Sequence, residues 1–393
     1  MNIKRAHTTK NSLYQALRNK VLNKLNLPVH LNHEGKYRGN VLISYLKKSL
    51  TVAPYEQWST LHSSEWECFE IARLFREKGY RVDMINWDDE SFIPKKNYAY
   101  VLDTQRNLER LSKHISDDTV LVHYIVSSHW QFQNDAELKR IIDINKRRNA
   151  HLSTHREEKK NNNIEIADVV VGLGNETTKK TYSFAKKEIH SIPISSTIEF
   201  QSLPTKNWDE ARKKFLWFGG GGAALKGLDI VLEVFKDRPD LDLTVCGPVE
   251  KEADFVEIYR RELYESPNIH YLGRINPLSE QFEKISQSQG FLLYPSASEG
   301  QSGAVVTCLH AGLIPIVSEN SGVDIDDIGF ELNTCTIDEV SDTIKIASKG
   351  DITVLEKLSE KAFIFAKNRF TTNSFSKAFS NFMETLIDRT YNK

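Results

Sequence analysis

The sequence predicts an α/β protein built from two doubly wound, Rossmann-like domains facing each other across a cleft. Three observations carry that expectation. From residue 39 onward, short apolar runs alternate with amphipathic stretches, the pattern of parallel strands covered by helices on both faces. The alternation pauses over the polar stretch 196–213 and then restarts, dividing the chain in two. A length of 393 residues suits two or three domains at about 150 residues each.

Composition narrows the class. Hydrophobic residues make up 40% and charged residues 27%, ordinary globular values that exclude wholesale disorder. Lys plus Arg is 52 and Asp plus Glu is 53; so even a balance argues against coating nucleic acid, and no nucleic-acid partner is expected. Cys68, Cys246, Cys308 and Cys335 lie far apart with no CxxC pair, which fits a reduced set and not a disulfide framework. No apolar run approaches the roughly 20 residues of a membrane span, and the N-terminus lacks an apolar signal core. A cytoplasmic protein is expected, at most peripheral at the inner face of the cell membrane.

Residues 1–38 form a basic extension expected to be helical. Its first 30 residues hold Lys4, Arg5, Lys10, Arg18, Lys20 and Lys24 and no acid, while Leu13, Leu17, Val21 and Leu25 recur every fourth position. Such a stripe docks on the main body or contacts an anionic membrane. Residues 39–195 form the first domain. GNVLISYL, RVDMIN, YAYVLD, TVLVHYI and IADVVVG read as strands, and SSEWECFEIARLFREKGY as a helix with a serine N-cap and Gly79 as its stop. NDAELKRIIDINKRRN reads as a helix capped by Asn134. Residues 196–213 form the linker.

Residues 214–370 form the second domain, with strands KFLWF, LDLTVCG, NIHYLG, GFLLYP and LIPIVS and helices from Leu225, Ala253, Leu278 and Ser302. Residues 371–393 form a C-terminal helix expected to pack back towards the first domain.

Ligands of doubly wound sheets bind beyond the carboxyl ends of the strands. KFLWF runs into GGGGAALKG, residues 219–227. Gly219, Gly220, Gly221 and Gly222 let backbone approach a ligand closely, a helix N-terminus suits a phosphate, and Lys226 adds a charge. The Lys-Gly order is not that of a Walker loop. GFLLYP runs into SASEGQSG, where Glu299 can accept hydroxyl hydrogens and the amides of Gly300, Gln301, Ser302 and Gly303 can hold an anion. A sugar joined to a phosphate needs both.

Other motifs are incomplete. GLGNET lacks the third glycine of a dinucleotide site, and His151 with His155 has no evident third ligand for zinc. REEKKNNN is a solvated loop or, with Arg147, Arg148, Lys179 and Lys180, a basic rim for a phosphorylated lipid.

Taken together, FLWFGG, LKGLDIVLEVF, LDLTVCGP, NIHYLGRI, YPSASEGQSG and AGLIPIVS resemble the C-terminal half of a GT-B glycosyltransferase of family 4, the retaining group 1 transferases. The resemblance covers about residues 214–370 and extends more weakly over 39–195. It implies that Glu299 binds hydroxyls of a donor sugar, that Lys226 binds the diphosphate and that His129 approaches the sugar, making these the expected catalytic residues. The family's second glutamate falls at Thr307 and its usual arginine at Gly221. Arg274, after NIHYLG, is the expected substitute cation. His62, Glu67 and Asn134 are expected to face the acceptor.

The resemblance implies a retaining, hexosyl-type transferase that needs no metal and no cofactor. It takes a nucleotide-diphosphate sugar, of UDP or GDP type, and a glycan or lipid-linked acceptor, in cell-envelope or exported polysaccharide synthesis. The departures at Thr307 and Gly221 motivate the alternative, a non-catalytic GT-B partner or regulator of an active transferase.

Overall fold

A computed structural model describes residues 27–32, 35–50 and 62–391. The expected basic helix falls mostly on residues 1–26, outside the described residues. In chain order the first elements are β1 (Val29–Leu31), β2 (Gly39–Tyr45), α1 (Ser63–Glu77), β3 (Tyr80–Asn86), β4 (Tyr100–Asp103), α2 (Leu108–Ser112) and β5 (Val120–Ile125). Next come α3 (Trp130–Arg148), α4 (Asn163–Ile166), β6 (Val169–Gly172), α5 (Glu176–Lys180), β7 (Ile189–Ser191), α6 (Trp208–Ala211) and β8 (Lys214–Phe218). Then follow α7 (Leu228–Phe235), β9 (Asp242–Cys246), α8 (Ala253–Ile258), α9 (Arg260–Tyr264), β10 (Ile269–Gly273), α10 (Glu280–Ser288) and β11 (Phe291–Tyr294). The chain ends with α11 (Gly303–His310), β12 (Ile314–Ser318), β13 (Phe330–Leu332), α12 (Ile337–Ser348), α13 (Ile352–Arg369) and α14 (Thr372–Tyr391).

The chain forms two compact units. One comprises Met1–Tyr124, Asn161–Val171 and Phe379–Lys393; the other comprises Ile125–Lys160 and Gly172–Ala378. In the first, the strands run in the order β1-β3-β2-β4-β5-β6. The β3–β2, β2–β4 and β4–β5 pairs are parallel, and β1 is antiparallel to β3. Val41, Leu42, Ile43, Val101 and Leu102 are fully buried, as near-continuous apolar strands between two helix layers must be. Phe75, Tyr80 and Tyr100 pack edge-on or tilted at 5.5–6.0 Å. The far end of α14 adds Phe379, Phe382, Met383 and Leu386 to this unit's core. The strand β1 falls inside the extension expected to be helical. Three residues are too few to show alternation, and pairing with β3 decides their state.

The second unit holds a six-stranded sheet in the order β10-β9-β8-β11-β12-β13, with every neighbour parallel. After β8 the chain winds outward through β9 and β10, then returns to place β11 on the other side of β8. The order therefore reverses between β8 and β11, and the loops after those two strands flank the switch point where doubly wound sheets bind ligands. Phe215 and Phe291 stack at 4.9 Å across that pair of strands.

Helix α3 belongs to this unit. Its Arg140, Arg147 and Arg148 share one face, spaced seven and eight residues apart. Arg147 donates to Asp229 Oδ2 at 2.8 Å and to Glu233 Oε1 at 3.0 Å; Arg148 donates to Glu233 Oε1 and to Glu262 Oε1, each at 2.6 Å. Arg140 reaches Asp229 at 3.4 Å. Arg147 and Arg148 are thus engaged with acids on α7 and α9, and Lys179 pairs with Glu176. The expected basic rim for a phosphorylated lipid loses three of its cations to these pairs.

Candidate functional site

The two loops at the switch point meet. The turn after β8 brings Ala297 N to donate to Leu225 O at 2.8 Å. Gly227 closes that turn with φ +75°, and a Cβ there would lie 2.3 Å from the carbonyl oxygen of Pro295. Only glycine allows both that backbone angle and that approach. Helix α7 accordingly starts at Leu228 and not at Leu225: Leu225 and Lys226 sit in the turn, and Gly227 is the N-cap.

Lys226 Nζ donates to Glu299 Oε1, forming an ion pair whose side chains are only 10% and 19% exposed. Tyr294, at the end of β11, donates its hydroxyl to the same oxygen at 2.7 Å. Burial first, then the Glu299 charge, holds that phenol well above its ordinary value, so it stays a donor. The Lys226 ammonium lies 5.9 Å from the centre of the Tyr294 ring. The main chain of Glu299 is fixed too, since Ser128 Oγ donates to its carbonyl at 2.6 Å. Thr178 Oγ1 donates to Gly300 O at 2.8 Å.

The amides expected to hold phosphate divide into occupied and open ones. Gly219 N donates to Cys246 O at 2.9 Å. Gly222 N donates to Glu252 Oε1 at 2.6 Å, and Ala223 N donates to both oxygens of that carboxylate at 3.2 and 3.0 Å. Among the described residues, the amides of Gly220 and Gly221 have no acceptor. Ser302 N donates to Ser321 O, and the Ser302 hydroxyl caps α11 by accepting from Val305 N. Among the described residues, the Gly303 and Ala304 amides at that helix end have no acceptor. Gln301 is a brace, accepting from Ile194 N at 2.6 Å and donating to Gly322 O at 3.3 Å. Thr307 lies on α11, 8% exposed, and Arg274 is exposed after β10 with no hydrogen bond among the described residues.

His129 is the N-cap residue of α3 and immediately follows Ser128, which holds Glu299. Its ring packs against Trp130, Tyr182 and Phe184 at 4.9–5.4 Å. Asn134 does not cap that helix, which starts four residues earlier at Trp130. Its side chain instead clamps the loop beyond the helix, donating to Glu158 O and accepting from Glu158 N, both at 2.8 Å.

His62 and Glu67 lie in the first unit. His62, not a serine, is the N-cap of α1: its ring accepts from Ser64 N, and Glu65 reaches back to its amide. An imidazole nitrogen does what a serine hydroxyl was expected to do. Glu67 is 1% exposed and accepts from the Tyr124 hydroxyl at 3.2 Å.

Lys226 and Glu299, both expected from the sequence, touch. Tyr294, Ser128 and Glu252, which hold the pair and the loop, carry no motif of their own in the sequence. Tyr294 was hidden as one more apolar strand residue, and Glu252 stands 30 positions from the amide it binds.

No family model matches the chain, and no curated protein matches it. Solved structures share its fold at low identity. Sucrose-phosphate synthase from Thermosynechococcus elongatus aligns with a TM-score of 0.62 at 11% identity, covering 90% of this chain and 100% of that one. HepE of Anabaena, solved with UDP-glucose, aligns at 0.58 with 10% identity over 88% and 100% of the two chains. A glycosyltransferase from Rickettsia africae aligns at 0.56 with 11% identity over 90% and 99%. The chain has the GT-B fold of these glycosyltransferases.

Proposed function

We propose that the protein is a retaining glycosyltransferase that takes a sugar from a nucleotide diphosphate and places it on a glycan or lipid-linked acceptor. One observation carries this: the buried Lys226–Glu299 pair stands beside a side-chain-free glycine loop at the switch point. Lys226 with the open amides of Gly220 and Gly221 suits the diphosphate, and Glu299 suits the hydroxyls of the sugar. The HepE structure was solved with UDP-glucose, which makes a UDP-sugar the first donor to test.

In the proposed reaction, the bond between the anomeric carbon and the diphosphate oxygen breaks. The acceptor hydroxyl adds on the same face, and its proton passes to the leaving diphosphate. Lys226 and the amides stabilise the charge that grows on that diphosphate, where fixed donors contribute most. Glu299, held by Tyr294 and by Lys226 itself, orients the sugar. No metal or cofactor is invoked. Cell-envelope or exported polysaccharide synthesis is the setting proposed.

The test is a thermal-shift panel of UDP, GDP, ADP and CMP with their sugars, followed by a transfer assay with the donor that binds. Ligand at 100 times its dissociation constant adds about 2.7 kcal/mol. A shift lost in Lys226→Ala, with transfer lost in Glu299→Gln, supports the proposal. Transfer by Glu299→Gln at the wild-type rate refutes it. One observation favours a second reading, a non-catalytic GT-B partner protein: Glu252 already fills two amides of the glycine loop. Absence of any shift across the panel would move the conclusion there.

A further inference from the structure

The loop after α3 carries a cation to the glycine loop. Three side chains on one edge of α3 fix its backbone. Gln133 donates to Arg156 O at 2.7 Å, Glu137 accepts from Arg156 N at 2.9 Å and from His155 N at 2.9 Å, and Asn134 holds Glu158 on both sides. Gln133 and Glu137 are 3% and 1% exposed. Buried polar groups spent on one exposed loop give residue 156 a defined position. Its side chain then runs across Gly222: a Cβ built on that glycine would meet Arg156 Cγ at 2.5 Å and Cδ at 3.1 Å. Gly222 has φ +91°, so space and backbone angle both require glycine where the arginine crosses.

At the other end of the same loop, Lys226 lies beside Gly219 in ordinary contact, with its Cδ 3.4 Å from the place of a Cβ that would first meet Trp217 at 2.8 Å. Two cationic stems therefore lie along one bare stretch of backbone. Their heads differ. Lys226 is bound to Glu299, and the Glu252 carboxylate adds a negative charge at the loop amides. Among the described residues the Arg156 guanidinium has no hydrogen-bond acceptor and no ion pair, although its charge also reaches the Glu137 carboxylate that holds its amide. Its charge is nevertheless felt at the Tyr294 hydroxyl, the group that donates to Glu299. A diphosphate entering here faces two fixed carboxylates and one lysine already committed, so it requires a further positive group.

We infer that Arg156 is a ligand-binding residue whose guanidinium takes the diphosphate of the donor, across the glycine loop from Lys226. A planar fork of donors suits two phosphate oxygens, and a free, exposed head on a fixed stem reaches them without breaking a contact. This inference rests on the reading of the site as one for nucleotide-diphosphate sugars.

The experiment is calorimetric titration of the full chain with UDP, with GDP in its place if UDP is silent, and with the matching monophosphate. Wild type, Arg156→Ala, Arg156→Lys and Lys226→Ala are compared, each with its melting temperature measured without ligand. Arg156→Ala is expected to weaken the diphosphate at least tenfold and the monophosphate less. Arg156→Lys is expected to recover part of the loss, with melting temperatures unchanged. Diphosphate binding retained at wild-type strength in Arg156→Ala but lost in Lys226→Ala overturns the inference and leaves the proposed function standing. Equal losses for diphosphate and monophosphate overturn it as well. No binding of either diphosphate by wild type removes both.

Discussion

Replacing Glu233 by glutamine should destabilise the second unit by about 2–3 kcal/mol at neutral pH, and the loss should fade in acid. An ordinary glutamate titrates near 4.5, whereas that of Glu233 lies at about 2. Burial alone pushes its carboxyl up, and hydrogen bonds from Arg148, Lys236 and Arg147 more than reverse that. Each pH unit of such a difference is worth about 1.4 kcal/mol, giving ~3 kcal/mol before water at the rim screens part of it. Because the folded value is depressed, this stability is complete above about pH 4.5 and is lost as pH falls towards 2. Roughly half should remain at pH 3. Asp229 shifts the other way, raised first by burial against the pull of Arg140 and Arg147, so wild type and variant must be compared at each pH. Urea unfolding at pH 7, 5 and 3, followed by tryptophan fluorescence, measures the difference; buried Trp208 and Trp217 report on this unit. A difference below about 0.5 kcal/mol at pH 7, or one that does not change with pH, would rule out a stabilising Glu233 charge.

Other expectations follow from single residues. Lys226→Ala should lower the affinity for a nucleoside diphosphate tenfold or more, read by titration calorimetry, because a charge-assisted bond contributes roughly 1.5–3 kcal/mol. Gly227→Ala should lower the melting temperature by several degrees, since its Cβ would press on the Pro295 carbonyl at 2.3 Å and φ is +75°. A wild-type melting temperature would count against that turn. Burial pushes the Cys68 and Cys246 thiols up to about 12 and Cys308 well above its ordinary value, so in the folded protein these three should resist a thiol reagent at pH 8. Half-buried Cys335, raised to about 11, should react first; peptide mapping after brief labelling decides the order.

The strands of the second unit were legible because buried parallel strands are written locally, as four or five apolar residues between turns. The glycine loop and the Glu299 loop were legible for a related reason: a sheet that reverses its order next to β8 must bring those two loops together. What sets the details was not local. The allegiance of α3 to the second unit depends on arginines meeting acids 82 to 114 positions away. Asn134 looked like a helix cap because it precedes an acidic, periodic run, yet the backbone begins its turn at Trp130 and frees Asn134 to clamp residue 158. Arg156 sat in a charged stretch with the composition of solvated loop. Only the buried glutamine and glutamate beneath it mark that loop as built, and their burial is a tertiary fact.

The division of the chain into units also bears on how it leaves the ribosome. Helix α3 is synthesised some 80 residues before Asp229 and Glu233, so its three arginines emerge long before the carboxylates they will bind. The first unit waits longer still, because Phe379, Phe382, Met383 and Leu386 of its core belong to α14, which is made after every strand of either unit. The core of the first unit is complete only once α14 has emerged, although chains of this size often complete one domain before the next appears. The part of the first core that α14 covers therefore stays open while the strands of the second unit are made. The span over which a chaperone would be needed is set by the position of α14, and moving that helix by circular permutation to precede β2 would shorten it.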